Sequence, residues 1–194
     1  LVIDDDAQAI IVSPRSVTTG EASGAALSVR LAFRPQGPVV VMASSSDPTA
    51  ASLSVGALTF TPMNYASAQT ITVSGVADGD VEDEAVEVLL TTAGVAPLSV
   101  LVTVVDDDVV NLDLSPSSLS LTEGGAGAPV AIRLTTQPPS AVVVTLTTSS
   151  IGVVSVSPLQ LTFTPANWAV AQQVVVTAID DGDTVDAQVD VVAT

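Results

Sequence analysis

Apolar and polar residues alternate along many short stretches of the chain. In 58–61 the apolar side chains Leu58 and Phe60 face one way and the threonines face the other, and 70–73 repeats this pattern. Strict alternation is typical of a β-strand that buries one face. No segment sustains apolar residues at the spacing of an amphipathic helix. The pattern therefore predicts an all-β protein.

Turn signals such as Asp47-Pro48 and Ala93-Gly94 separate the alternating stretches. In the first half of the chain, strands are predicted at 8–12, 25–33, 38–43, 58–61, 70–73, 85–91 and 97–105. In the second half they are predicted at 109–114, 128–135, 141–147, 159–163, 171–179 and 187–193. About seven short antiparallel strands in 100 residues indicate a β-sandwich of immunoglobulin-like architecture, and the second half gives matching strands.

The two halves also resemble each other in sequence. The stretch Leu58–Pro62 recurs as Leu161–Pro165, and Asp78–Asp80 recurs as Asp181–Asp183. A repeat of this length indicates tandem domains, each with its own hydrophobic core. The fold class that we expect is therefore a tandem pair of immunoglobulin-like antiparallel β-sandwiches.

The alignment of the two halves predicts the domain boundaries. Residues 1–6 are expected to be the tail of a preceding repeat, 7–108 the first repeat and 109–194 the second. The second repeat is expected to lack its last strand, because nothing in it corresponds to 92–108. The chain is thus predicted to be a window from a longer array, with neighbouring repeats as its partners.

The amino-acid composition argues against an enzyme, a nucleic-acid-binding protein and a membrane-spanning protein. The chain has no histidine, lysine or cysteine, so the common nucleophile–base pairs of hydrolases are not available and we expect no enzyme. The formal net charge of −17 repels nucleic acid and anionic membranes. No apolar run approaches the roughly 18 residues of a membrane-spanning helix. The charge favours cations as ligands.

The acidic residues are concentrated rather than spread over the chain. Of the 21 acids, 17 fall in four clusters, at 4–6, 78–87, 106–108 and 180–190. Clustered carboxylates repel one another unless a cation neutralises them. Calcium takes six to eight oxygen ligands, largely from carboxylates and carbonyls, and acidic loops can supply them. Loops at one end of a sandwich can converge, so the pattern favours a calcium site over solvated turns.

These motifs together resemble the Calx-β domain, a calcium-binding β-sandwich that occurs as tandem repeats in bacterial surface proteins. The likeness rests on the acidic turn at Glu21, the Leu-Thr-Phe-Thr-Pro stretch, the acidic loop from Asp78 to Val86 and the closing triplet Asp106–Asp108. It extends over both repeats. The family usually places two glutamates three residues apart in the acidic loop, and here Val81 stands at that distance from Glu84.

The resemblance implies a set of metal ligands in each repeat. In the first repeat they are Glu21, Asp47, Asp78, Asp80, Glu84, Asp106, Asp107 and Asp108. In the second repeat they are Glu123, Asp180, Asp181, Asp183 and Asp186. The second site is expected to be weaker, since Ala187 replaces Glu84 and the closing triplet is missing.

The resulting hypothesis is a calcium-stiffened structural repeat of a long bacterial surface protein, such as an adhesin stalk, a filament or a sheath. The alternative is an accessory module of a secreted protein that binds a sugar or a protein. Both place the chain outside the cell or on the bacterial cell surface. Head-to-tail or lateral association between copies is a further expectation, and neither nucleic acid nor membrane insertion is expected.

Overall fold

In a computed structural model that describes residues 6–194, the chain is all β and forms two compact units. The first unit holds strands β1–β9 and the second holds β10–β16, with the boundary between Asp107 and Asp108, and residues 79–81 also group with the second unit. The predicted tail of a preceding repeat lies, apart from Asp6, outside the described residues.

The first unit is built from nine strands in two sheets. They are β1 Ile10–Ser13, β2 Ser16–Gly20, β3 Gly24–Leu31, β4 Val39–Ser45, β5 Ala51–Leu53, β6 Ala57–Phe60, β7 Gln69–Gly75, β8 Glu84–Thr92 and β9 Val95–Val105. One sheet has the order β1-β3-β7-β5 and the other the order β2-β9-β8-β4-β6. Only β2 and β9 run parallel to each other. This arrangement of two facing sheets is the immunoglobulin-like sandwich that the sequence predicts.

Alternation along these strands creates the first core. Val100, Val102 and Val104 of β9 are fully buried, whereas Leu101 and Val105 between them are exposed. Phe60 of β6 and Ile71 of β7 lie in the same hydrophobic cluster. The two sheets therefore bury one face each, as the period of two requires.

The second unit has seven strands. They are β10 Leu112–Ser115, β11 Ala128–Leu134, β12 Val142–Thr148, β13 Val154–Ser157, β14 Gln160–Phe163, β15 Gln172–Ala178 and β16 Val191–Ala193. One sheet has the order β10-β11-β15-β13, and the other the order β14-β12-β16. Phe163 and Ile132 lie at the centre of a separate hydrophobic cluster. Each unit thus has its own core, and no helix in residues 6–194 is long and apolar enough to cross a membrane.

Several predicted strands need correction. The sequence pattern misses β2, β5 and β13, which are short and carry few large apolar residues. The strand predicted at 109–114 begins only at Leu112, and the one predicted at 187–193 is reduced to Val191–Ala193. Short strands form where a neighbouring strand supplies hydrogen bonds, and a local pattern carries little information about that neighbour.

One turn recurs with the same geometry in both units. The Oδ1 atom of Asn64 accepts hydrogen bonds from the backbone N–H and the hydroxyl of Thr61, at 2.5 and 3.0 Å. Asn167 accepts the same pair from Thr164, at 2.6 and 3.0 Å. The aromatic residue that follows each asparagine packs against the core of its own unit. Tyr65 and Trp168 are therefore partly buried residues that pack at the edge of the core.

Phe60→Ala should destabilise the first unit by about 3–5 kcal/mol, because it removes a fully buried aromatic ring and leaves a cavity. Denaturant titration followed by NMR can resolve the two units, since Ile71 and Ile132 are buried isoleucines in separate cores. The Ile71 methyl signal should report a lower midpoint, and that of Ile132 should not move. Met63→Ala is the matched control, because Met63 is 94% exposed. Equal effects of both substitutions would contradict the assigned core.

Candidate metal centre

Three acids from distant parts of the first unit converge at one end of its sandwich. Glu21 follows β2, Asp78 follows β7 and Asp106 follows β9. Each offers a carboxylate oxygen, and these oxygens all lie within 4.8 Å of one another. Three negative charges at this separation form a strongly anionic site. We refer to Glu21, Asp78 and Asp106 as the carboxylate cluster.

Glu21 is the buried member of the cluster. Its backbone N–H donates to the carbonyl of Val105, at 3.2 Å, so the end of β9 fixes the turn that carries it. Ala22, the next residue, has a φ of 52°, in the left-handed region where side chains are uncommon. Glu21 itself is only 7% exposed. A carboxylate is rarely buried to this degree without a compensating partner.

Gly75 at the end of β7 allows the Glu21 turn to lie close by. A Cβ atom at this position would stand 2.6 Å from the carbonyl oxygen of Gly20 and 3.2 Å from the Cα of Glu21. The first contact is shorter than real Cβ atoms show and the second is tighter than most, and both involve backbone atoms. The sequence analysis does not include Gly75 in the site, although a glycine at a strand end is a signal of close backbone approach.

Asp78 connects the cluster to the acidic loop between β7 and β8. Its backbone N–H donates to Oε1 of Glu21 at 3.3 Å. Asp78 and Glu84 also offer carboxylate oxygens within 4.8 Å of each other. Glu84 is half-buried, and Asp78 is exposed. Asp80, a predicted ligand, falls within residues 79–81, which group with the second unit. The loop thus adds Glu84 as a further oxygen donor beside the cluster.

Asp106 is held by the same loop. Its backbone N–H donates to Oδ1 of Asp83 at 3.0 Å. The Oδ2 atom of Asp106 and the Oε2 atom of Glu84 are shielded from solvent. The Asp83 contact is a supporting one that the predicted ligand set omits. Oxygen atoms therefore face the site from the end of β9, the β2–β3 turn and the acidic loop.

The environment of Glu21 changes its acidity. Burial raises the pKa of the Glu21 carboxyl above its ordinary value of 4.5, and the hydrogen bond from Asp78 opposes this rise. The charges of Asp78, Asp106 and Asp107 raise the pKa further. Burial and the neighbouring negative charges both penalise the ionised form of Glu21, so a bound cation would favour that form.

The donor set fits a hard cation. Carboxylate oxygens are the ligands that calcium prefers, and calcium tolerates irregular arrangements of six to eight of them. The chain contains no histidine or cysteine, so it offers neither of the nitrogen and sulfur ligands that zinc favours. The residues present therefore suit calcium, with Glu21, Asp78 and Asp106 as the central ligands and Glu84 beside them.

The other predicted ligands of the first repeat stand outside the cluster. Oδ1 of Asp47 accepts hydrogen bonds from the hydroxyl and N–H of Thr49, at 2.5 and 2.9 Å, and from the N–H of Ala50 at 3.3 Å. These bonds lower the pKa of Asp47 and show a turn-forming role. Asp107 and Asp108 are exposed, and Asp107 affects Glu21 through its charge alone.

The acids of the second unit approach one another less closely. Among its described residues, no three acids bring carboxylate oxygens within 4.8 Å of one another. The charge of Asp181, followed by burial and the charges of Asp183, Asp180 and Asp186, raises the pKa of Glu123 above 4.5. Glu123 is half-buried, whereas Glu21 is buried. The five predicted ligands therefore share one region without forming a compact cluster.

The similarity to known proteins is limited to solved structures with little sequence identity. No protein-family model and no curated protein matches the chain. Among solved structures, the YadV chaperone matches at 12% identity, covering 95% of this chain and 92% of its own, with a TM-score of 0.38. A chain of the chaperone–tip adhesin complex of CFA/I fimbriae matches at 8% identity, with 95% and 97% coverage and a TM-score of 0.42.

A third structure, the CupB2 chaperone of Pseudomonas aeruginosa, matches at 9% identity, with 94% and 98% coverage and a TM-score of 0.40. These likenesses concern the fold alone and assign no chaperone activity to this chain. The resemblance to the Calx-β domain stays a prediction.

The hypothesis of a calcium-stiffened structural repeat in a long surface protein is wrong. The three structures above are matched along 92–98% of their own chains, and they come from pilus and fimbrial chaperone systems rather than from stalks, filaments or sheaths. That role is therefore withdrawn. The carboxylate cluster is a feature of this chain's own residues and does not depend on that role.

The raised pKa of Glu21 predicts how metal-free stability depends on pH. The folded state holds a proton on Glu21 at pH values where the unfolded chain has lost it, so this group's contribution is largest below pH 4.5. The free energy of unfolding of the first unit should fall as the pH rises from 4.5 through the raised pKa.

Thermal melting in chelator, followed at the Ile71 methyl, measures this dependence. Glu21→Gln should remove part of the fall and stabilise the metal-free unit near neutral pH, because it removes a charge from a crowded site. Glu87→Gln is the control, since this exposed residue lies outside the carboxylate cluster. A pH dependence that Glu21→Gln leaves unchanged would contradict the assignment.

Proposed function

We propose that the first unit is a calcium-binding immunoglobulin-like domain whose ion is held by Glu21, Asp78 and Asp106. The observation that carries this proposal is a glutamate only 7% exposed, with two aspartate carboxylates within 4.8 Å. Three carboxylates held this close repel one another, and burial of Glu21 costs the free energy of desolvating its charge. Attraction to a bound divalent cation offsets both terms.

The arrangement explains why the site needs tertiary structure. Its three acids come from positions 21, 78 and 106 and meet only when both sheets are formed. An unfolded chain therefore has little affinity for the ion at this site. Binding to the folded state alone stabilises it by RT ln(1 + [L]/Kd), which is about 2.7 kcal/mol when the ligand concentration is 100 times Kd.

Calcium fits better than magnesium. Magnesium requires near-ideal octahedral geometry and keeps several of its waters, whereas calcium accepts six to eight ligands in irregular arrangements. Glu84 can complete such a shell together with backbone carbonyls and water. Extracellular modules bind calcium with dissociation constants of about 10⁻⁴–10⁻³ M. We therefore propose a location outside the cytoplasm, where calcium reaches such concentrations.

Calcium titration tests the proposal directly. In millimolar calcium the melting temperature reported by the Ile71 methyl should rise above its value in chelator, while that of Ile132 should move much less. Asp78→Asn or Asp106→Asn should remove most of the rise, because each removes a charged ligand without a large change in shape. Isothermal titration calorimetry should show the same loss of affinity.

Asp181→Asn in the second unit is the matched control for these variants. It removes one acid from an acidic loop of similar sequence, and it should leave the calcium response of the first unit intact. Coincident melting of the wild-type first unit in chelator and in calcium would refute the proposal. An equal loss of response in Asp181→Asn would attribute the effect to general screening of the negative charge.

Gly75→Ala should weaken the site without touching a ligand. The added Cβ would collide with the carbonyl of Gly20 and with the Cα of Glu21, so the turn that carries Glu21 has to move. We expect lower calcium affinity and a destabilised first unit. Gly56→Ala is the control, because its Cβ would have no neighbour closer than 3.8 Å. Unchanged calcium affinity in Gly75→Ala would show that the close approach does not position Glu21.

A further inference from the structure

The outer face of one sheet in the first unit carries large apolar side chains. An antiparallel sheet with one face in water usually places polar residues on that face. In the β2-β9-β8-β4-β6 sheet, four outward side chains are apolar and 39–53% exposed, namely Val40, Met42, Leu89 and Leu101. Among the described residues of this unit, every exposed large apolar side chain within a strand belongs to this sheet. We refer to these four residues as the apolar stripe.

The strand register makes the stripe continuous across three strands. Met42 of β4 pairs with Thr91 of β8, so Leu89, two residues before Thr91, is the diagonal neighbour of Met42. Leu101 of β9 pairs with Glu87 of β8, so Leu101 is in turn diagonal to Leu89. Diagonal neighbours on one face are about 7–8 Å apart, within reach of long side chains. The stripe is therefore one connected surface.

The outer face of the other sheet has a different character. Along β7 its outward residues are Thr70, Thr72 and Ser74, and along β3 they include Ser28 and Arg30. Hydroxyl and charged groups suit a surface that meets water. Because both faces belong to one sandwich, the apolar stripe is not a general property of this chain's strands. A connected apolar surface of this kind marks a site of interaction.

One charged residue lies within the apolar face. Glu87 is the only charged residue at the outward positions of these five strands. Its Oε2 atom accepts a hydrogen bond from the hydroxyl of Ser99 at 3.0 Å, and the register sets it beside Leu89 and Leu101. No arginine in residues 6–194 forms an ion pair with Glu87. A partner that covers this face has to supply a cation, because an unpaired carboxylate is costly to desolvate.

Charge also narrows the class of partner. Each copy of the chain has a formal net charge of −17, and two copies that met through this face would bring two Glu87 carboxylates together. The same charge repels anionic membranes. Arginine meets the requirement best, because its guanidinium pairs with a carboxylate while its stem contacts apolar surface. Arginine is accordingly enriched in protein–protein interfaces.

We propose that the apolar stripe and Glu87 together form a docking surface for a separate, basic polypeptide. Its contact surface carries aliphatic side chains around one arginine. The arginine pairs with Glu87, and the aliphatic side chains cover Met42, Leu89 and Leu101. The proposal is independent of the metal site, because none of these residues belongs to the carboxylate cluster.

Methyl NMR of the full chain with a designed peptide tests this inference. The probe is a cyclic β-hairpin peptide that presents one arginine between two leucines on one face. It should shift the methyl signals of Met42, Leu89 and Leu101. A control peptide with glutamine in place of the arginine should bind about threefold more weakly, because it cannot pair with Glu87. Equal binding of the two peptides, or shifts only at other methyl groups, would overturn the proposal.

Two protein variants separate the charged contact from the apolar one. Glu87→Gln should abolish the difference between the two peptides, since it removes the charge that distinguishes them. Leu89→Ser should weaken both peptides about tenfold, because it removes apolar area from the contact. Val55→Ser is its control, since Val55 has the same 39% exposure and lies between β5 and β6, and it should bind as the unmodified chain does.

The variants also give the contradicting results. A preference for the arginine peptide that survives in Glu87→Gln would overturn the assigned ion pair. Unchanged binding in Leu89→Ser would overturn the assigned surface.

Two measurements on the chain without peptide test the other occupants. A soluble paramagnetic probe should strongly broaden the Met42 methyl signal, because this side chain is 53% exposed. Protection of that signal in dilute solution would mean that the chain covers its own face, and this would overturn the proposal. Shifts of the stripe's methyl signals that depend on protein concentration would overturn it in favour of a second copy.

Discussion

The pairing of β9 between β2 and β8 is the interaction on which the first unit depends. Its valines fill the space between the sheets, and its parallel pairing with Ser16–Gly20 makes β2 a strand. Its last residue, Val105, accepts the hydrogen bond that fixes Glu21, and Asp106 follows at once. Core, sheet closure and carboxylate cluster thus rest on one strand.

The second unit repeats the local motifs of the first. Its Leu-Thr-Phe-Thr-Pro turn and its paired central strands form as in the first unit. Among its described residues the counterpart of β2 is irregular, and Glu123 is less buried than Glu21. Its acids form no group of three comparable to the carboxylate cluster.

The sequence predicts those features that depend on local alternation. Strands such as β6 and β7 carry a clear period of two, and their burial follows it. It predicts less well what depends on a distant partner, since β2 forms because β9 lies beside it. The predicted ligands show the same distinction. Glu21 and Asp106 lie together because the end of β9 holds the Glu21 turn, whereas Asp47 accepts hydrogen bonds within its own turn from Thr49.

Anomalous diffraction from crystals grown in calcium tests the central claim most directly. The account predicts a calcium peak about 2.3–2.6 Å from carboxylate oxygens of Glu21, Asp78 and Asp106, the usual range for such bonds. A crystal grown in chelator should lack that peak. Crystals in millimolar calcium with no peak at the cluster, or with peaks only among the exposed acids of residues 180–186, would contradict the account.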